Sequence, residues 1–196
     1  MADICLDNKL NQDILKSCDH RPKSGLEVDM VAILWDDVDW SATTFDATNK
    51  MLVTNLALKT GKTGYKIQGF KVSNNLNFEK QTDDIGSGYQ HKIAGVLANP
   101  TAANRYALFS LLNEERYVFV VERKWKGENK ESAFLMIGKD NGVTGSTHTY
   151  GSADNNGMEI FEMTTPEGEL ERYPALSLLH TDYDTTKGAF DNKFAA

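Results

Sequence analysis

The sequence predicts a mainly β protein, an antiparallel β-barrel or sandwich with one flanking helix and extended terminal arms. Three observations support this prediction. Apolar segments of strand length recur along the chain, glycine- and asparagine-rich turns separate them at intervals of roughly 10 residues, and one segment alone has a clear helical pattern. Because strands and helices do not alternate, the pattern disfavours the βαβ units from which parallel sheets are built.

The first 25 residues predict an N-terminal arm, 1–25. Its apolar residues are sparse and recur at near-helical spacing, which suits a short amphipathic helix or a docking arm; they are Ile4, Leu6, Leu10, Ile14 and Leu15. The arm ends in the breaker-rich run HRPKSG. Leu26–Asp36 then predicts a strand that enters the core, 37–50 a loop, and Lys50–Leu58 a second strand.

Residues 64–98 predict a long β-hairpin. Apolar residues alternate through GYKIQGFKVSNNLNFEKQT, and the alternation slips by one at Gly69–Phe70, where a glycine within a strand indicates a bulge or a close approach of the backbone. The polar run TDDIGSG predicts the loop, and Tyr89–Ala98 predicts the returning strand. The tip between Asn74 and Gly88 is long for a hairpin, and such loops tend to carry function.

One helix is predicted over residues 99–115. Asn99 is a good N-cap, Pro100 suits the first helical position, and few breakers follow in TAANRYALFSLLNEER. Helical spacing predicts one apolar face, with Leu108 and Leu111 beside it; its members are Ala102, Tyr106, Phe109 and Leu112.

Four further strands are predicted after the helix, at Tyr117–Trp125, Ser132–Asp140, Gly142–Tyr150 and Gly157–Thr165. Residues 181–196 predict a polar C-terminal tail. The total is seven or eight strands and one helix, in a single domain, 1–196, that is long enough to bury a core of its own.

Composition limits the classes of partner. The chain has 21 basic and 28 acidic residues and a net charge of −7, which disfavours a nucleic-acid groove because phosphate binding needs clustered Lys and Arg. DNA can still pass an acidic wall, which repels its backbone. The N-terminal segment lacks the basic and apolar regions of a signal peptide, and no apolar run is long enough to span a membrane. We therefore expect reduced Cys5 and Cys18, with a disulfide between them disfavoured.

No catalytic motif is found, and the sequence predicts no enzyme, metal or cofactor. A phosphate-binding loop needs a glycine five residues before Gly61, where Leu56 stands. Cys5, Cys18 and His20 offer three zinc ligands where a structural site needs four. His91 and His148 have polar neighbours in their strands, so we expect both to face solvent. A hydrolase with a site built from distant residues is the least favoured alternative.

From about Tyr65 to Asp182 the order of segments resembles tail-tube and related tail proteins of bacteriophages and prophages of Bacteroidetes. The segments are the hairpin GFKVSNNLNFEKQTDDIGSGYQHKIAGVL, the helix NPTAANRYALFSLLNEER and the strand YVFVVERKW, followed by FLMIGKDNG, GVTGSTHTY and GMEIFEMTTPEGE. The resemblance lies in pattern and order, since none of these segments is diagnostic alone. It implies a barrel or two packed sheets with one flanking helix.

The resemblance also implies a structural virion protein that forms hexameric rings, which stack into a tube through which DNA passes. Its partners would be copies of itself and other tail or head–tail proteins, with no membrane and no specifically bound DNA. It would be assembled in the host cytoplasm and located in the tail of the virion. The expected contacts between subunits involve the N-terminal arm and the hairpin tip; the candidate residues are Ile4, Leu10, Ile14, Asn75, Phe78, Asp83, Asp84, Ile85 and Tyr89.

Two alternatives remain open at this point. A head–tail connector or terminator protein would share the fold but stop at one ring. A ligand- or carbohydrate-binding β-sandwich would instead use an aromatic platform formed by Trp35, Trp40 and Trp125, of which only Trp40 is expected to be partly exposed.

Overall fold

The computed structural model describes residues 10, 13–15, 21–70, 73–82, 86–113, 115–154 and 157–196. These residues form eleven strands and two helices. In chain order they are β1 (Leu26–Leu34), β2 (Thr44–Phe45), β3 (Leu52–Asn55), β4 (Tyr65–Gln68), β5 (Asn75–Thr82), β6 (Ser87–Leu97), α1 (Ala102–Asn113), β7 (Tyr117–Arg123), β8 (Phe134–Ile137), β9 (Thr144–Tyr150), β10 (Glu159–Thr164), β11 (Leu176–Leu178) and α2 (Tyr183–Asp191).

The strands form two open sheets that pack as a sandwich. The larger sheet has the order β2-β3-β11-β8-β7-β1-β4, and the smaller one has the order β5-β6-β10-β9. All neighbouring strands are antiparallel except β11 and β3, which run parallel. The prediction of a mainly β fold is confirmed.

Strands β1 and β7 are buried on both faces because the seven-stranded sheet is covered on both sides. Met30 and Phe119 on one face share a core with Phe161 of the four-stranded sheet and with Leu108 of α1. The other face has its own apolar cluster, which includes Val31, Val120 and the C-terminal aromatic residues. The near-continuous apolar runs of these two strands, without alternation, follow from this double burial.

The C-terminal segment differs from the predicted extended tail, 181–196. Residues Tyr183–Asp191 form α2, and the Asp182 carboxylate caps it by accepting the backbone N–H of Thr185 at 2.7 Å. Phe190 and Phe194 are buried against the seven-stranded sheet. The segment is polar overall, so its few aromatic residues do not produce a helical pattern in the sequence, yet they suffice to dock one face.

Helix α1 begins later than predicted and buries a different side. The Thr101 hydroxyl accepts the N–H of Asn104 at 3.2 Å, so Thr101 occupies the capping position expected for Asn99. The side that enters the core carries Leu108 and Leu111, whereas Tyr106 and Phe109 of the predicted face are exposed. Apolar residues occur on both sides of this helix, so spacing alone does not identify the buried one.

The phase slip at Gly69–Phe70 marks a crossing between the two sheets and not a bulge within one strand. β4 ends at Gln68 in the large sheet, and β5 begins at Asn75 in the small one. At this corner the buried Asn74 amide donates to the carbonyl oxygens of Glu27 and Val28, at 3.2 and 2.8 Å. A side chain at Gly69 would collide with Asn74 Oδ1, which explains the glycine.

Candidate functional site

The four-stranded sheet presents two free edges. Among the described strands, none pairs with the outer side of β5 or with the outer side of β9. β5 is antiparallel to β6, β6 to β10 and β10 to β9, so the two edge strands run in opposite directions. Unpaired edges present backbone N–H and C=O groups to any further strand that approaches.

The β5–β6 hairpin projects beyond the rest of the sheet. β10 pairs with β6 over Lys92–Leu97 only, whereas β5 pairs with β6 as far as Ser87. The five residues of β6 before Lys92 and their partners on β5 therefore extend past the end of β10. β5 continues to Thr82 and β6 begins at Ser87, so most of the predicted long tip between Asn74 and Gly88 is strand. Residues 83–85 lie outside the described residues.

A loop after β10 anchors the base of this hairpin. Thr165 donates its backbone N–H to the carbonyl of His91 at 3.0 Å. Tyr89 and Glu171 then exchange two backbone hydrogen bonds of 2.7 and 2.9 Å. The loop thus continues the sheet for a short distance in place of β10 and stiffens the projecting strand.

His91 joins three segments and is buried, contrary to its predicted exposure, with 2% of its surface accessible. Its Nδ1 accepts the backbone N–H of Gly138 at 3.2 Å, so its Nε2 carries the proton and donates to the carbonyl of Tyr173 at 3.0 Å. Burial lowers the pKa of His91 to about 4. The ring is therefore neutral at physiological pH and acts as a structural clamp.

A carboxylate pair holds the anchoring loop to the turn after β8. Glu171 is buried and accepts the backbone N–H groups of Asp140 and Asn141, each at 2.8 Å. Burial raises the pKa of Glu171. Burial alone would also raise the pKa of Asp140, but its hydrogen bonds with Arg172 outweigh that effect, and the pKa lies well below its usual range. These groups are fully partnered within the chain and have a structural role.

The two faces of the four-stranded sheet differ in polarity. Side chains of Ile93, Phe161 and Met163 face the core. By the pairing registers, the opposite face carries mostly polar side chains; its polar members are Asn75, Asn77, Glu79, Gln81, Gln90, Lys92, Thr144, Thr147, Thr149, Glu162 and Thr164. Lys92 and Glu162 form an ion pair of 2.7 Å there. We call this the polar face.

The predicted contact residues fall into three groups. Asn75 is exposed at the start of β5, Phe78 is 47% exposed in its middle, and Tyr89 is half-buried on β6, with its ring edge-on to Phe78 at 6.3 Å. The N-terminal arm residues Leu10 and Ile14 are exposed, as is Leu15. Ile4, Asp83, Asp84 and Ile85 lie outside the described residues. The structure thus brings Phe78 and Tyr89 together and leaves the arm residues apart from them.

Sequence reasoning did not single out the exposed aromatic residues beside β9. Tyr106 and Phe109 on α1 are 73% and 56% exposed, and Tyr150 at the end of β9 is also exposed. Tyr106 and Phe109 are predicted only as members of the apolar face of α1, and Tyr150 only as a strand residue. Only the placement of α1 beside β9 shows that these side chains belong to the same edge of the small sheet.

The three tryptophans do not form one platform. The rings of Trp35 and Trp40 lie 5.6 Å apart. All three tryptophans are partly exposed, so the prediction that only Trp40 would be partly exposed is wrong. Trp35 borders a cleft of about 370 Å³ that is also lined by Asp36, Glu115, Arg116 and Asp140. Trp125 follows the other end of β7, more than about 20 Å away along the strand at 3.3 Å per residue.

No constellation suited to metal or catalytic chemistry is evident in the part of the chain that the structure describes. No group of three or more His, Cys, Asp or Glu side chains could hold a metal ion there. Cys5, Cys18 and His20 fall outside it. His148 is half-exposed and pairs with the buried Glu159 at 2.8 Å, which Arg105 also contacts at 2.6 Å. Neither helix in these ranges has the length and apolar character needed to cross a bilayer.

Comparison with known proteins identifies no relative. No protein-family model matches the chain, and no curated protein or solved structure matches it either.

Proposed function

We propose that this chain is a structural subunit of a bacteriophage tail tube, which assembles with copies of itself into rings, hexameric by resemblance, that stack around passing DNA. The observation that carries the proposal is the four-stranded antiparallel sheet with two free edges of opposite direction. The similarity of segment order to phage tail proteins supplies the biological setting.

The directions of the edge strands make the sheet extendable by identical copies. When copies stand side by side in one orientation, β5 of one meets β9 of the next, and the two run antiparallel, as their neighbours within each copy do. Such a contact is heterologous, because two different surfaces meet. Repeated about an axis, such a contact gives a ring when the rotation between copies closes and an open filament when it does not. Closure also removes the exposed edges that favour uncontrolled aggregation.

The polar face suits the lumen of such a ring. Its side chains are mostly Asn, Gln and Thr, with the carboxylates of Glu79 and Glu162 against the single ammonium of Lys92. Basic clusters would grip phosphates, whereas a neutral to acidic wall lets DNA slide. The net charge of −7 for the whole chain points the same way.

The N-terminal arm supports contacts beyond a single subunit. Leu10, Ile14 and Leu15 expose most of their surface and do not pack into either core cluster of their own subunit. Three neighbouring apolar side chains gain free energy by burial on a second subunit, about 1.5–3 kcal/mol for each one fully buried.

Electron microscopy of the purified protein, with light scattering on the same sample, tests the proposal. We expect rings with a central hole and a mass that is a multiple of 21.8 kDa. Stacked tubes would identify a tail-tube protein, and single rings that never stack would identify the connector or terminator alternative. A monomer that persists at high concentration would contradict self-assembly and favour a ligand-binding module, for which the paired Trp35 and Trp40 are the candidate surface.

A further inference from the structure

Exposed aromatic residues flank both edges of the four-stranded sheet, on its core-facing side. Phe78 lies on β5 at one edge, and Tyr150, with Tyr106 and Phe109 of α1, lies at the other. Phe78 pairs with the core-facing His91, so its ring projects from the core-facing side. Tyr150 pairs with Glu159, which is two residues from the core residue Phe161 and shares its side.

Helix α1 lies over β9 and β10 on that same side. Arg105 pairs with Glu159 of β10, and a side chain at Gly145 of β9 would collide with the backbone of Leu112. Arg105 and Leu112 therefore mark the part of the helix that faces the small sheet, whereas Leu108 and Leu111 face the shared core.

The helical angle of about 100° per residue then places Phe109 on the outer flank of α1. Phe109 is about 40–60° from Arg105 and Leu112 but about 100–160° from Leu108 and Leu111. Phe109 and Tyr106 thus overhang the free edge of β9. These two exposed rings border the space that an added strand would fill.

A second copy supplies a strand with a matching side chain. If the second copy stands beside the first at the same height along the strands, only the first three residues of its β5 lie opposite β9. A displacement of about four residues pairs Leu76–Glu79 with Thr147–Tyr150, so that core-facing residues remain opposite core-facing residues. Phe78 then lies opposite His148, beneath the exposed rings of α1, and Leu76 lies opposite Tyr150.

We propose that Phe78 of one copy inserts beneath α1 of a second copy, where Phe109, Tyr106 and Tyr150 enclose it. The inference rests on the proposed self-assembly and identifies the contact that fixes its register. The aromatic cluster joins the cores of adjacent subunits across the β5–β9 junction, and neither half is buried in the isolated subunit. Aromatic pairs across strands are among the stronger side-chain contacts in a sheet.

Disulfide trapping tests the placement directly. In a background with Cys5→Ser and Cys18→Ser, one preparation carries Phe78→Cys and a second carries Phe109→Cys. After mixing and mild oxidation, we expect a cross-linked dimer that contains one chain of each kind. The matched control is Phe70→Cys, because Phe70 is half-exposed like Phe78 but lies outside the small sheet. If Phe70→Cys links to Phe109→Cys as readily as Phe78→Cys does, the placement is wrong.

A charge exchange tests the energetics. Phe78→Lys and Phe109→Glu should each raise the concentration needed for half-assembly by at least about tenfold, since a charge replaces a buried aromatic ring. A mixture of the two variants should assemble at a lower concentration than either variant alone, because some junctions then place the new lysine against the new glutamate. Circular dichroism of each variant checks the fold.

The outcomes separate this inference from the proposed function. Rings that form normally from Phe78→Lys would overturn the aromatic junction and leave self-assembly standing. If the wild-type protein forms no ring and its cysteine variants give no mixed dimer, both the aromatic junction and the proposed self-assembly are wrong.

Discussion

His91 shows how one buried side chain can connect distant segments. Its two nitrogens bond to Gly138 and Tyr173, which are 47 and 82 residues away in sequence. The hairpin that carries β5 is thereby tied to the turn after β8 and to the anchoring loop. Since Nδ1 must accept a hydrogen bond, a second proton on the ring would break the contact with Gly138.

Acidification should therefore weaken the fold through His91. Its pKa is about 4 in the folded chain against 6.5 when unfolded, so the unfolded state binds the proton first as the pH falls. The stabilisation is complete above about pH 6.5 and is lost progressively down to pH 4. Urea denaturation should show about 2–3 kcal/mol less stability at pH 4.5 than at pH 7 from this residue.

His91→Gln is the control for that measurement, because glutamine cannot titrate but can donate and accept hydrogen bonds. The acid-dependent loss should be smaller in the variant by the amount given above. Equal losses in the two proteins would show that His91 does not cause the effect. Comparing the two proteins cancels the contributions of the carboxylates and of His180.

The surroundings of single residues were harder to predict from the sequence than the strands and helices or the fold class. His91 has polar neighbours in its strand, Gln90 and Lys92. Where the residues of both faces of a strand are polar, alternation does not show which face is turned to the core. The partners of His91 come from remote turns, which no local pattern contains. Phe78 is predicted as a candidate contact between subunits, and it is half-exposed in the structure; the contact itself stays a prediction.

At the scale of single elements, α2 closes the second face of the large sheet. Phe190 contacts Phe134 with ring centroids 5.3 Å apart, and Phe194 packs edge-on against Phe190 at 6.4 Å. Tyr183 donates its hydroxyl to the buried Glu122 at 2.7 Å, and Lys126 pairs with the same carboxylate. The helix is thus held by aromatic contacts with Phe134 and by polar contacts that include Glu122.

Phe190→Ala should lower the free energy of unfolding by about 3–5 kcal/mol, because it leaves a cavity in a fully buried position. Thermal or urea denaturation of the monomer measures the loss. Phe70→Ala removes the same ring from a half-exposed position and should cost less than about 1 kcal/mol. A similar cost for both variants would mean that α2 contributes little to the core.

Elements with a strong period were predictable, and short ones were not. Strands β6, β7 and β10 and helix α1 were expected within a few residues of their bounds, because each has a clear apolar pattern. The two-residue β2 and three-residue β11 depend on pairing with strands that are already in place. Helix α2 was missed because its docking relies on a few aromatic residues in a polar segment.

At the scale of the whole molecule, the fold class was predictable and the arrangement of the two sheets was not. Turn spacing and the single long helical pattern sufficed for a mainly β sandwich or barrel. The phase slip at Gly69 gave no indication that the chain leaves one sheet for the other there. The candidate assembly surface was therefore predicted as a list of residues, without the two-edged sheet that relates them.

The N-terminal arm should matter for assembly and not for folding. Replacement of Leu10, Ile14 and Leu15 by serine should change the free energy of unfolding by less than about 0.5 kcal/mol, because these side chains are exposed. The same variant should assemble more weakly than wild type by light scattering. Asp13→Asn, in the same exposed stretch, is the control and should assemble normally. A loss of monomer stability would indicate that the arm packs on its own subunit.

The position of β11 has a consequence for biosynthesis. β11 lies between β3 and β8 in the large sheet, although it is the last of the described strands to be synthesised. Until β11 emerges from the ribosome, no described strand connects β2 and β3 with β8 and the rest of the large sheet. Helix α2 follows later still. The large sheet therefore reaches its native packing only after β11 and α2 have been synthesised. If the chain self-assembles as proposed, this order of synthesis would keep partly made chains from joining an assembly.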